Sequence, residues 1–211
     1  MTPQLKPRPA RLRRSQAERR SESEQGLLQA AITVVVEDGV GAFTFDAVGR
    51  LGGFSRGLAT VRFGSKQGLI DAVITHLREH QDMLLAQHGI DNLSGFEAIL
   101  AYVDFCLRDL TAKSERRAYF MLLSSAVADA SEMRAAFAKT HARIEQLLAA
   151  WVLRGQAEGD IRREIDAQAA ALMIGSLIFG VSMQCLVDPQ TDVDPICETS
   201  LAMLRLSLGV R

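Results

Sequence analysis

Proline and cysteine are scarce in this chain. Its 211 residues hold 5 Pro and 3 Cys. Few prolines among many Ala and Leu favour helix nearly throughout. The cysteines (Cys106, Cys185 and Cys197) are odd in number and never spaced C-x-x-C. That argues against a disulfide scaffold or a zinc ribbon and for reduced core thiols in a cytoplasmic protein. The first 20 residues carry basic groups with no apolar run after them, so no signal peptide is expected. Beyond residue 20 there is no repeat and no low-complexity segment. Neither a Ser/His/Asp arrangement nor a phosphate-cradling glycine loop stands out.

What is present is ordinary in bulk and uneven in detail. Hydrophobic residues make up 48% and charged residues 23%, the balance of a soluble globular protein. The net charge of −1 hides an asymmetry: residues 1–66 carry 11 Lys/Arg against 6 Asp/Glu, and residues 67–211 carry 13 against 19. Lys6, Arg8, Arg11, Arg13, Arg14, Arg19 and Arg20 all precede residue 21. A basic head on an acidic body suits a polyanion-binding domain attached to a second unit. The basic stretch also fits a solvated flexible tail.

Along the chain, Leu27/Leu28, Ala31/Ile32 and Val35/Val36 recur at four-residue spacing, predicting an amphipathic helix over about 15–38 that Gly39 ends. Thr44, Ser55 and Ser65 are then three N-cap candidates within about 22 residues. Gly52-Gly53 and Gly64 stop the first two helices early. Short helix, tight glycine turn, short helix is the helix-turn-helix pattern, although many helical bundles contain one such corner. Further helices are expected at 66–88, 94–112, 115–128, 132–158, 166–187 and 195–208. Val48, Leu51, Phe54, Phe63 and Leu69 read as core.

The stretch from about Gln25 to Ile74 resembles the TetR-type (tetracycline-repressor-like) bacterial transcriptional regulators. The residues that carry the resemblance are Gly39, Thr44, Gly53-Phe54-Ser55-Arg56-Gly57 and Phe63-Gly64-Ser65-Lys66-Gln67-Gly68-Leu69. One departure is that Ala59-Thr60-Val61-Arg62-Phe63 stands where the family tends to have Leu-Tyr-x-His-Phe. The resemblance implies an all-α protein: a basic flexible arm over 1–20, a three-helix helix-turn-helix head over 21–70, and a ligand-binding and dimerisation body over 71–211.

Docking the second helix of the pair into a major groove assigns roles to its residues. Ser55 and Arg56 at its start are both candidates for DNA contact, Arg56 placed to reach guanine O6/N7, and the missing side chain of Gly57 allows close approach. Leu58 fits either a thymine methyl or the core. Thr44, Thr60, Arg62 and Lys66 are phosphate candidates. Arg11, Arg13 and Arg14 suit either an adjacent minor groove or non-specific attraction.

The body is expected to hold a small hydrophobic or amphipathic effector among Phe96, Tyr102, Phe105, Met121, Trp151, Met173, Phe179 and Met183. Tyr102 and Trp151 are favoured because their polar tips need partners when buried. Residues 167–187 are uncharged for 21 residues, but contain Gln168, Ser176, Ser182 and Gln184 and are flanked by Asp166 and Asp188. This favours a helix buried against a partner over a membrane span. Helices 166–187 and 195–208 are therefore expected to form a homodimer interface. The expected protein is a ligand-released repressor bound to a near-palindromic operator, with no cofactor, metal or catalytic residue. Two rivals remain: a helical adaptor for another protein, and a zinc enzyme built on His76-x-x-Glu79-His80.

Overall fold

Ser15 opens the first helix with a capping box. Its hydroxyl accepts from Glu18 N–H at 3.1 Å, and the Glu18 carboxylate accepts from Ser15 N–H at 2.7 Å. The computed structural model describes residues 15–112, 114–128 and 133–210. The arm residues Lys6, Arg8, Arg11, Arg13 and Arg14, and the expected breakers at 113 and 129–131, lie outside the described residues. Helix α1 (Gln16–Asp38) buries Leu27, Leu28, Ala31, Ile32 and Val35 on the predicted face. Gly39 ends it, and a 3-10 turn (Val40–Ala42) leads to α2 (Phe45–Gly52).

Each of the next three helices starts at the predicted cap. Thr44 Oγ1 accepts from Ala47 N–H at 3.2 Å, Ser55 Oγ from Leu58 N–H at 3.1 Å, and Ser65 Oγ from Gly68 N–H at 3.0 Å. These open α2, α3 (Arg56–Phe63) and α4 (Lys66–Gln87). Between α2 and α3, Gly53 takes a left-handed conformation with φ 72°, which a Cβ would resist. The Phe54 ring then wedges beside Gly26 of α1 and Gly52 of α2, where an added Cβ on either would come within 2.9 Å of it. Val48, Ala59 and Leu69 close the small core of the head. Leu51 does not belong to that core: it is 50% exposed, because α2 packs only one face on α1 and Leu51 falls on the other.

The body follows as α5 (Gly95–Ala112), α6 (Ser114–Ala128), α7 (Met133–Glu158), α8 (Ala167–Val187) and α9 (Val193–Leu208). Among the described residues the only extended pairing is an isolated bridge between Ile161 and Gly209. Helix α5 runs through the middle, against α7, α8 and α9. It crosses α7 closely, since a Cβ on Gly95 would lie 2.3 Å from backbone atoms of Trp151 and Gly155. Two elements tie head to body. Helix α4 passes from one to the other, and α6 packs directly on α1.

Candidate DNA interface and effector cavity

Helix α3 has one outward face, made by Arg56, Gly57, Thr60 and Val61. Arg56 reaches back to Asp46 of α2 at 3.4 Å, with both side chains largely exposed. An exposed pair of this kind is worth about 0–1 kcal/mol, so a better partner can take the guanidinium at little cost. Gly57 has no internal reason to be glycine: an added Cβ would meet only Ser55 Oγ, at 3.8 Å. Thr44 and Lys66 are exposed at the starts of α2 and α4, flanking α3.

Four expected contacts are qualified by the geometry. Ser55 is occupied as the cap of α3, and Leu58 is half-buried against the core. Thr60 Oγ1 donates to Arg56 C=O at 3.0 Å. Arg62 turns inward, where its Nη2 donates to Ser23 Oγ of α1 at 3.2 Å and its Nε is buried without a partner among the described residues. The cause is helix phase, because Arg62 lies one turn past Leu58, on the side that faces α1. Val61 is the residue that sequence reasoning missed. It is 86% exposed, four residues after Gly57 on the same face, and that spacing was the available signal.

The body encloses a cavity of 440 Å³ between α4, α5, α6, α7 and α8, within the range of small-molecule sites. Most of its wall is apolar, including Phe120, Leu123, Phe137, Ile144, Leu148 and Ile178. One corner is polar: Gln81, Tyr102, Arg116 and Tyr119. There Gln81 Nε2 donates to Tyr102 Oη at 3.2 Å, and Arg116 Nη2 lies 3.5 Å from Cys106 Sγ. Burial pushes the phenols of Tyr102 and Tyr119 and the thiol of Cys106 up from their usual ranges. Burial works against the Arg116 charge, but Cys106, Tyr102 and Asp109 outweigh it and hold its pKa above the ordinary value.

Of the eight expected pocket residues, Tyr102 and Phe179 line this cavity. Trp151 stands behind Tyr102, edge-on with centroids 5.6 Å apart. Phe105 stands behind Arg116, with the guanidinium 6.0 Å from its ring centre. Phe96 packs near Gly209, and Met121 is partly buried against the core. Met173 is 71% exposed on the outside of α8. Arg116 and Tyr119 were missed because nothing in the periodicity of α6 separates a cavity-facing polar residue from a solvent-facing one. His76, Glu79 and His80 share α4, but among the described residues no three His, Cys, Asp or Glu gather where they could hold a metal. The described cysteines are all free.

Residues 97–205, just over half of the chain, match the model of the C-terminal domain of BetI-type transcriptional repressors. The chain belongs to the TetR family of transcriptional regulators. Solved TetR-type structures share its fold. A putative TetR-family regulator from Rhodococcus sp. is 22% identical, with TM-score 0.77, over 90% of this chain and all of that one. A putative regulator from Saccharomonospora viridis, solved with choline, is 20% identical at TM-score 0.77, with the same coverage. NalD, the secondary repressor of the MexAB-OprM multidrug efflux pump in Pseudomonas aeruginosa, is 19% identical at TM-score 0.69, over 90% of this chain and 98% of its own. Comparison with curated proteins gives no match. As a TetR-type chain this is a ligand-responsive transcriptional repressor rather than an enzyme.

Proposed function

We propose that two copies of this chain bind a near-palindromic operator in the cytoplasm and leave it when an amphipathic molecule fills the 440 Å³ cavity. The observation that carries the DNA half is the outward face of α3, led by Arg56 beside the bare Gly57. In this reading Arg56 exchanges Asp46 for a guanine edge, Val61 meets a thymine methyl, and Thr44 and Lys66 hold phosphates. Residues 1–20 act as a basic arm, 21–70 as the DNA-binding unit and 71–211 as the effector-binding and dimerisation unit. The two copies of α3 would sit about 34–36 Å apart, one turn of duplex.

Coupling has a short route. Gln81 of the polar corner sits on α4, about 22 Å along the same helix from Lys66. Arg116 and Tyr119 sit on α6, which packs on α1 of the head. A ligand that moves either helix biases the head toward a spacing that no longer fits the operator.

Footprinting on the DNA upstream of the chain's own gene tests the proposal. Protection of a near-palindrome is expected. Arg56→Ala should weaken operator binding by about 5- to 150-fold and relax preference at one base pair of each half-site. Lys66→Ala should lower the slope of log affinity against log salt by about one per subunit. A protein that ignores this DNA at low salt, or an Arg56→Ala variant that binds unchanged, would sink the reading.

A further inference from the structure

Arg116 is a buried cation with few good partners. It is 9% exposed, yet a guanidinium carries five N–H donors. Among the described residues its contacts are the Cys106 thiol at 3.5 Å, the Asp109 carboxylate at 3.9 Å and the face of Phe105. A thiol is a weak acceptor, and 3.9 Å is longer than a hydrogen bond. One turn along α6, Tyr119 Oη is buried and has no hydrogen-bond partner among the described residues. Its ring is fixed by edge contacts with Phe120 and Phe137 and by stacking on His141, so the hydroxyl cannot swing out to find one. Both residues line the 440 Å³ cavity, and both line the small space behind it. A buried charge and a buried hydroxyl left under-bonded in one corner are costly to keep unless something completes them.

We propose that the effector is an amphipathic carboxylate, its head group held by Arg116 and Tyr119 and its apolar body by the Phe120, Phe137, Ile178 and Phe179 wall. This rests on the reading of the cavity as the effector site and adds the chemistry of the ligand. A planar carboxylate matches the guanidinium fork and has lone pairs left for the Tyr119 O–H. The opposite sign is disfavoured. The aromatic rings could face a cation, but Arg116 in the same corner would repel it. The cavity's lining includes one carboxylate, half-buried Glu145 on α7, against the two arginines Arg116 and Arg134.

Isothermal titration of the full-length chain at neutral pH tests the assignment, using two families of probe that differ in the head group. Decanoate is compared with 1-decanol and decyltrimethylammonium, and 2-naphthoate with 2-naphthol. At least one carboxylate should bind about tenfold or more tighter than its matched alcohol, and the ammonium should not bind. Arg116→Gln should erase the head-group preference, with circular dichroism confirming that it folds. Tyr119→Phe covers the case where it does not. It removes an unbonded hydroxyl, so the free protein should melt at the same or a higher temperature while the carboxylate loses about tenfold in affinity. A purely structural tyrosine would do the reverse. The assignment is overturned if no carboxylate binds, if alcohol or ammonium binds equally well, or if Tyr119→Phe leaves the preference intact. The same titrations on the operator complex separate the two readings. A carboxylate that binds without releasing DNA overturns the effector role and leaves the head-group site standing.

Discussion

Two glycines of the head, eight residues apart, do opposite jobs. Gly49 is buried in α2, where an added Cβ would lie 3.0 Å from the Phe54 carbonyl oxygen and 3.3 Å from Arg56 N. Both neighbours are backbone, so Gly49→Ala must push α3 away. It should cost about 1–3 kcal/mol by chemical denaturation and weaken operator binding as well. Gly57 faces open space, so Gly57→Ala should stabilise the chain by about 0.4–1 kcal/mol by restricting the unfolded state. It should nonetheless lower operator affinity, because the new methyl stands on the face proposed to approach DNA. Equal or better binding by Gly57→Ala would remove that face from the interface. The sequence marks both positions as glycine and cannot say which is crowded. That depends on where the chain returns after the turn, a tertiary fact. Arg62 is the same lesson in reverse, since its charge suggests a phosphate and its helix phase gives it to Ser23.

At the scale of elements, helix starts and stops were legible to within about two residues because their causes are local. Thr44, Ser55 and Ser65 cap with their own hydroxyls, and Gly53 stops α2 with its own backbone. Gly53→Ala should therefore cost about 1–2 kcal/mol, the penalty of a Cβ in a left-handed conformation. Ser55→Ala should cost about 1 kcal/mol through loss of the α3 cap. Both changes should leave the body's cavity unaltered, which a ligand titration would check. A Gly53→Ala variant as stable as the parent would mean that the turn does not depend on the left-handed residue. The cavity was far less legible. Its walls come from five helices, and a rotation of one residue in any of them exchanges wall for surface. Trp151 and Phe105 fall just behind the wall and Met173 outside it, although all three have the bulk expected of a pocket residue.

For the whole molecule, the question is what covers the outer faces of α8 and α9. Helix α8 is long and apolar enough to cross a membrane by length and composition, and only 28% of its most apolar window is buried in the monomer. Met173 and Val187 lie on its outer side, and Met203 and Leu206 on that of α9. Added side chains at Gly175 and Gly180 would meet nothing within 4 Å, so packing within the monomer does not require these glycines. Small residues between large apolar ones, on a face with Gln168, Ser176 and Gln184, fit a second helix pair better than lipid. Such an interface would be self-complementary about a twofold axis, and it would fix the distance between the two α3 helices. A charge placed there should act twice. Leu206→Glu combined with Met173→Glu should halve the mass measured by light scattering, leave the helical circular dichroism unchanged, and weaken operator binding at least about 100-fold by uncoupling the half-sites. A double variant that remains dimeric would put the interface elsewhere. One that dissociates yet binds the full operator undiminished would mean that the two heads do not act together.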